Sequence, residues 1–263
     1  MSPGTTPRHV LITGAAGAIG GAIARAMRGM WPETRLALLD REASSMTALA
    51  ETLGNASTHG ADLARIDALP EVVNDIERAM PLDGLVNCAG VMRVRDVATW
   101  EWEEAQRLMA IDLIAPLRLQ DLVVKSLVER GAVARGVIVN VASMAGRVPL
   151  RGCAYYGAAK AGLGMASEIA RADLAAKGVR VVTVYPGPVR SALEQGARED
   201  YGGAGFFGKF APTGDPAELA EKVMKAIDAN EARVIYPRMY QAAWSATNVA
   251  TWFSLAYGPP PVG

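Results

Sequence analysis

Tyr156 and Lys160 stand four residues apart in a stretch patterned as a helix, so their side chains share one face and adjoin. A phenol titrates near pH 10 on its own. An ammonium beside it favours the phenolate, and a lowering of about three pH units takes roughly 4 kcal/mol. Such a phenol can take a proton from an alcohol or return one to the oxygen of a carbonyl. Ser143 follows the apolar run Val137–Val141, where its hydroxyl can hold the same oxygen. Read alone, a Tyr-x-x-x-Lys pair also fits a plain surface contact between neighbouring turns. The small residues Gly157-Ala158-Ala159 and the preceding strand favour the chemical reading.

A second cluster lies near the start. The run Val10–Thr13 leads into Thr13-Gly14-Ala15-Ala16-Gly17-Ala18-Ile19-Gly20-Gly21 and then a helical pattern. Glycines at such a strand–helix turn let the backbone approach a pyrophosphate, whose charge suits the free N–H groups of a helix N-terminus. The spacing is not the common G-x-G-x-x-G, and small residues there can also serve packing. Asp40 closes the second strand about twenty residues on, where a carboxylate can accept hydrogen bonds from adenosine ribose hydroxyls. The same carboxylate repels a 2′-phosphate, and Gly17 brings no basic group to hold one. NAD is therefore expected over NADP, with Arg41 the one argument for the phosphate. Asp40 can equally cap the next helix.

These groups need a scaffold, and the pattern supplies one. Strand-like runs at Val10–Thr13, Leu36–Asp40, Leu85–Asn87, Val137–Val141, Val179–Val184 and Val234–Tyr236, with a weaker one at 57–60, alternate with helical patterns. The helices fall at about 18–29, 42–53, 66–79, 101–129, 154–176 and 216–229. Alternation of this kind predicts an α/β fold, a doubly wound (Rossmann) parallel sheet of about seven strands covered on both faces, in three αβα layers. One domain over 1–263 is expected. Pro188–Asp215 is read as an irregular, glycine-hinged substrate lid tipped by Phe206, Phe207 and Phe210, and 238–263 as an aromatic C-terminal extension. The 27 basic residues balance the 27 acidic ones, so no global field favours nucleic acid or anionic membranes. No run approaches a membrane span, and no signal-peptide pattern opens the chain. Cys88 and Cys153 match no metal or disulfide framework, which suits a cytoplasmic setting, and no metal is expected.

Thr13-Gly14-x-x-x-Ala18-x-Gly20, Asp62-Leu63, Asn87-Cys88-Ala89-Gly90, Ser143, Tyr156-x-x-x-Lys160 and Pro186-Gly187 occur in a telling order. In that order and spacing the chain resembles the short-chain dehydrogenase/reductase family, in its single-domain branch, over about residues 8–191. The resemblance implies a catalytic set of Ser143, Tyr156 and Lys160, with Lys160 also bonding the nicotinamide ribose. It implies that Asp62 and Leu63 contact adenine. Asn87, Ala89 and Gly90 would line the exit of the fourth strand, and Pro186-Gly187-Pro188-Val189 would pass the nicotinamide amide. A homodimer or homotetramer and a small-molecule substrate are implied too.

Two departures stand out. Where the family carries an asparagine, this chain reads Ile111-Asp112-Leu113-Ile114-Ala115-Pro116. The family uses mainly that residue's carbonyl, which holds a water in a proton relay to the lysine. Pro116 has no N–H, so the Asp112 carbonyl loses its helical donor and the relay is expected to survive with an altered pH profile. The C-terminal stretch, with Trp244, Trp252, Phe253 and Tyr257, replaces the family's usual short tail and is expected to pack on its own domain or a twin subunit. The leading expectation is an NAD(H)-dependent oxidoreductase for a bulky, apolar secondary alcohol or ketone. The alternatives are a dinucleotide-sensing protein without turnover, or an epimerase or dehydratase of the same architecture.

Overall fold

A computed structural model of the chain describes residues 5–202 and 213–261. Seven strands form one parallel sheet: β1 (His9–Thr13), β2 (Arg35–Asp40), β3 (Ala56–Gly60), β4 (Gly84–Asn87), β5 (Val137–Val141), β6 (Arg180–Pro186) and β7 (Arg233–Tyr236). Their order is β3-β2-β1-β4-β5-β6-β7. β1 pairs with β2 through Val10 and Leu36 and with β4 through Val10 and Gly84, so the winding reverses between β1 and β4. Ligand crevices form outside the carboxyl ends of strands at such a switch point.

The period of two in a strand divides the core. Val10 and Ile12 of β1 face one layer, with α1 (Ala18–Met30), α2 (Thr47–Leu53) and α8 (Pro216–Asp228). Leu11 faces the other, where α3 (Leu69–Glu77), α5 (Ala115–Glu129) and α6 (Ala154–Ala175) pack through Val73, Leu119 and Leu174. Each fully buried Leu or Ile here contributes about 1.5–3 kcal/mol of apolar transfer. These are the layers the alternating pattern predicts.

Three local differences bear on the site. The expected helix 101–129 is α4 (Trp102–Met109), a π-helical turn at Ala110–Ile114, then α5. Pro116, second in α5, lacks an N–H and its ring crowds the carbonyl four residues back, so the ladder widens across Asp112. The stretch 188–215 is not wholly irregular. It contains α7 (Ala192–Asp200), started by Ser191, whose hydroxyl accepts from the Glu194 N–H at 3.1 Å. The Ser-x-x-Glu spacing is the pattern in the sequence that marks this helix start. Phe206, Phe207 and Phe210 lie outside the described residues. After β7, α9 (Tyr240–Ser245) and α10 (Thr247–Tyr257) fold back over the domain.

Candidate active site

The end of β5 and the first turns of α6 carry the chemical groups. Ser143 caps a short 3₁₀ turn (Met144–Gly146), its Oγ accepting from the Ala145 N–H at 3.1 Å. Tyr156 and Lys160 project from α6, both buried, with Nζ 5.8 Å from the centre of the Tyr156 ring. Nζ donates to the Val141 carbonyl at 3.2 Å, which fixes the ammonium against the end of β5.

Asp112 meets Lys160 directly. From the widened turn its Oδ2 lies 3.2 Å from Nζ, and its Oδ1 accepts the Val91 N–H at 2.8 Å, with the carboxylate fully buried. A Cβ on Gly90 would stand 3.1 Å from Oδ2 and 3.2 Å from Nζ, so a side chain there would crowd this pair. Sequence reasoning placed the weight on the Asp112 carbonyl, whereas the contact in the structure is made by the side chain. Burial pushes the Asp112 carboxyl up, against the opposing pull of Lys160 and the Val91 N–H. Burial also pulls Lys160 down, but Asp112 and Tyr156 more than offset it, and the ammonium is held above its ordinary range. Tyr156 is pushed up by burial and by Asp112, and Lys160 recovers only part of this. The pull of the ammonium on the phenol is thus present, with its effect outweighed.

The nucleotide cluster assembles at the switch point. Gly14 has φ +67, and a Cβ there would stand 2.7 Å from the backbone of Ala89. On Gly20 it would stand 2.2 Å from the Gly14 carbonyl oxygen, so the loop and α1 meet at a distance only glycine permits. Thr13 Oγ1 accepts the N–H groups of Cys88 (3.1 Å) and Ala89 (3.2 Å), tying the exits of β1 and β4 together. Gly17 begins α1 without a side-chain cap, while Ala18 starts the helix and Ile19 packs on the core. Asp40 does not cap the following turn. Its carboxylate accepts from Ala16 N–H at 3.1 Å and Arg41 N–H at 2.8 Å, bracing the glycine loop, and Arg41 is exposed.

Asp62 is engaged by a residue sequence reasoning passed over. Arg107 of α4 donates from both terminal nitrogens to its two oxygens, each at 3.1 Å, and holds the carboxyl below its usual range. The pair is 45 residues apart and no local pattern announces it. Leu63 is buried in the core. Asn87 turns inward, donating to the Pro116 carbonyl (3.1 Å) and to Asn140 Oδ1 (2.8 Å). Past Pro186, the Gly187 N–H donates to the Tyr236 carbonyl at 2.7 Å, and a Cβ on Gly187 would stand 2.6 Å from the Tyr240 ring. Val189 is buried and bridges to Gly214.

The chain is similar in sequence and fold to known proteins. The family model described as short chain dehydrogenase matches residues 8–202, well over half of the chain. This chain belongs to the short chain dehydrogenase family. It is 30% identical to ketoacyl reductase HetN of Nostoc sp. over 241 residues, covering 88% of this chain and 78% of that protein. It is 33% identical to D-threitol dehydrogenase of Mycolicibacterium smegmatis over 220 residues, 80% of this chain and 82% of the relative. A short-chain dehydrogenase from Sphingobium yanoikuyae, solved with NADPH, superposes with a TM-score of 0.76 at 28% identity, covering 95% of each chain. The short chain dehydrogenases are oxidoreductases that bind a nicotinamide dinucleotide. The groups present suit such a ligand. The glycine turn Gly14–Gly17 carries no side chain larger than a methyl, α1 opens without a cap, and Asp40 stands half-exposed at the end of β2. Among the described residues no helix is long and apolar enough to cross a membrane.

Proposed function

We propose that this chain is an NAD(H)-dependent dehydrogenase or reductase for a secondary alcohol or ketone, with Tyr156 as general acid and base. The observation that carries this reading is the gathering of Ser143, Tyr156 and Lys160 at the carboxyl end of the sheet, the end that also bears the glycine turn. The dinucleotide, when bound, supplies or accepts a hydride. Ser143 then holds the substrate oxygen, Tyr156 exchanges a proton with it, and Lys160 bonds the nicotinamide ribose and steadies the phenolate. Gly14, Gly17, Ala18, Ile19 and Gly20 receive the pyrophosphate. Asp40 takes the ribose hydroxyls beside Arg41, and Asp62 and Leu63 meet the adenine. Asn87, Ala89, Gly90 and the turn through Pro186, Gly187 and Val189 complete the cofactor's surroundings.

Two features support the finer choices. A carboxylate at Asp40 disfavours a 2′-phosphate, which argues for NAD even though one solved relative carries NADPH. Tyr156 packs in a cluster with Val94, Met92, Trp100, Leu150 and Ala197 of α7, which suits an apolar substrate covered by that helix. The deciding experiment is turnover of the purified protein with NAD(H) and NADP(H) over secondary alcohols and ketones graded by bulk and polarity. NAD-dependent turnover of bulky apolar compounds is expected. Turnover only with NADP, or only of small acids and sugars, removes the corresponding choice. The second reading, a dinucleotide sensor, is favoured by one observation, the charge of Lys160 being matched by Asp112. Tight NADH binding with no turnover across the whole panel would select it.

A further inference from the structure

The buried pair of Asp112 and Lys160 has a consequence for the direction of proton transfer, which rests on the oxidoreductase reading above. With asparagine at position 112, a protonated Lys160 would place a net charge of +1 beside Tyr156. With aspartate, the couple is net neutral, whether it is ionised or the proton has passed from lysine to carboxyl. The geometry leaves little room for the charges to separate. Oδ2 and Nζ are 3.2 Å apart, both side chains are buried, and Val91 N–H and the Val141 carbonyl anchor the two ends. The backbone of Gly90 passes close to the pair, where an added Cβ would stand 3.1 Å from Oδ2 and 3.2 Å from Nζ.

We propose that Asp112 is a positioning residue that, by neutralising Lys160, keeps Tyr156 protonated at neutral pH and sets the site to give a proton to a carbonyl oxygen. In that direction the carbonyl carbon gains a hydride from the reduced dinucleotide. The carbonyl π pair moves to oxygen, and oxygen takes the Tyr156 hydroxyl proton, which solvent then replaces. Alcohol oxidation requires the reverse, with Tyr156 ionised first, and is deferred to alkaline pH. The other titratable groups facing this cluster do not supply the missing positive charge. Cys88 at the exit of β4 is pushed up to about 12 by desolvation, and Cys153 before α6 to about 11, so both are neutral thiols at pH 7. Ser143 at the end of β5 contributes only a hydroxyl.

The test is an ultraviolet absorbance titration of the phenolate, as the difference between the protein and its Tyr156→Phe variant, with and without Asp112→Asn. In the native background Tyr156 is expected to ionise above the ordinary phenol value of about 10. In Asp112→Asn the phenolate is expected at a pH lower by about one unit or more, the usual effect of an uncompensated neighbouring charge. The acid limb of alcohol oxidation should move by the same amount, raising oxidation relative to reduction at neutral pH. Superimposable titrations in the two backgrounds overturn the proposal. So does native ionisation of Tyr156 at or below about 10, a result that needs no variant to fold. If the phenolate moves and no alcohol or ketone is turned over, the pair behaves as argued and the oxidoreductase reading is what fails.

Discussion

Tyr156, Lys160, Ser143 and Asp112 come from three separate stretches of chain, and the last three are each held by a backbone group as well as by their neighbours. The Val141 carbonyl holds Lys160, the Ala145 N–H holds Ser143 and the Val91 N–H holds Asp112. Removing the phenolic hydroxyl leaves these anchors in place. Tyr156→Phe is therefore expected to lower kcat about 10²–10⁴-fold, the usual worth of a positioned acid–base group, while NADH binding measured by fluorescence is unchanged. Parallel losses of binding and turnover would instead assign the hydroxyl to the fold. Much of this residue set was legible because the Tyr-x-x-x-Lys spacing, the glycine turn and Ser143 are local or depend on a strand end. The sign of the net shift on Tyr156 was not legible. It depends on the burial of the phenol and on which atom of Asp112 meets Lys160, and neither is written in spacing.

Among the elements, the strands were legible almost to the residue, because β-branched runs buried on both faces have few other uses. What spacing could not convey is how the C-terminal elements engage the loop between Ser143 and Tyr156. Arg147 stacks on Trp244 at 4.7 Å, and Arg233 lies over the same ring at 5.3 Å. Ser254 Oγ donates to the Pro149 carbonyl at 2.7 Å, and Arg151 donates to the Gly258 carbonyl at 3.4 Å. Tyr240 of α9 packs against Gly187. The aromatic extension thus packs on its own domain, as one of its expected roles required, and it grips the segment that joins two proposed catalytic residues. Trp244→Ala removes two cation–π contacts, each worth about 0.5–2 kcal/mol, and frees that loop. KM for the ketone is expected to rise several-fold with little change in NADH affinity, and Trp244→Phe should restore most of it. An equal fall in cofactor and substrate affinity, or no rescue by phenylalanine, would mean that the ring only stabilises the fold.

For the molecule as a whole, the sheet buries both faces, yet α6 leaves Met165 and Ile169 exposed at 66% and 53%, one helical turn apart on the same side. A pair of large apolar side chains on a long helix suits association with a second copy, the homodimer or homotetramer the family resemblance implies. Met165→Glu with Ile169→Glu is expected to shift the purified protein to a smaller species in light scattering and to lower its melting temperature in a concentration-dependent way. An unchanged mass would remove this face from any assembly.

The grip of the C-terminal segment also orders events in time. Pro149 and Ser254 are 105 residues apart, and Arg151 and Gly258 are 107 apart. At about 5–20 residues per second, a ribosome that has made Ser143 and Tyr156 needs on the order of 5–20 s more before their connecting loop meets its partners. Over that interval the nascent chain carries the site's chemistry without its restraint. Activity should therefore appear only once α10 is clear of the ribosome.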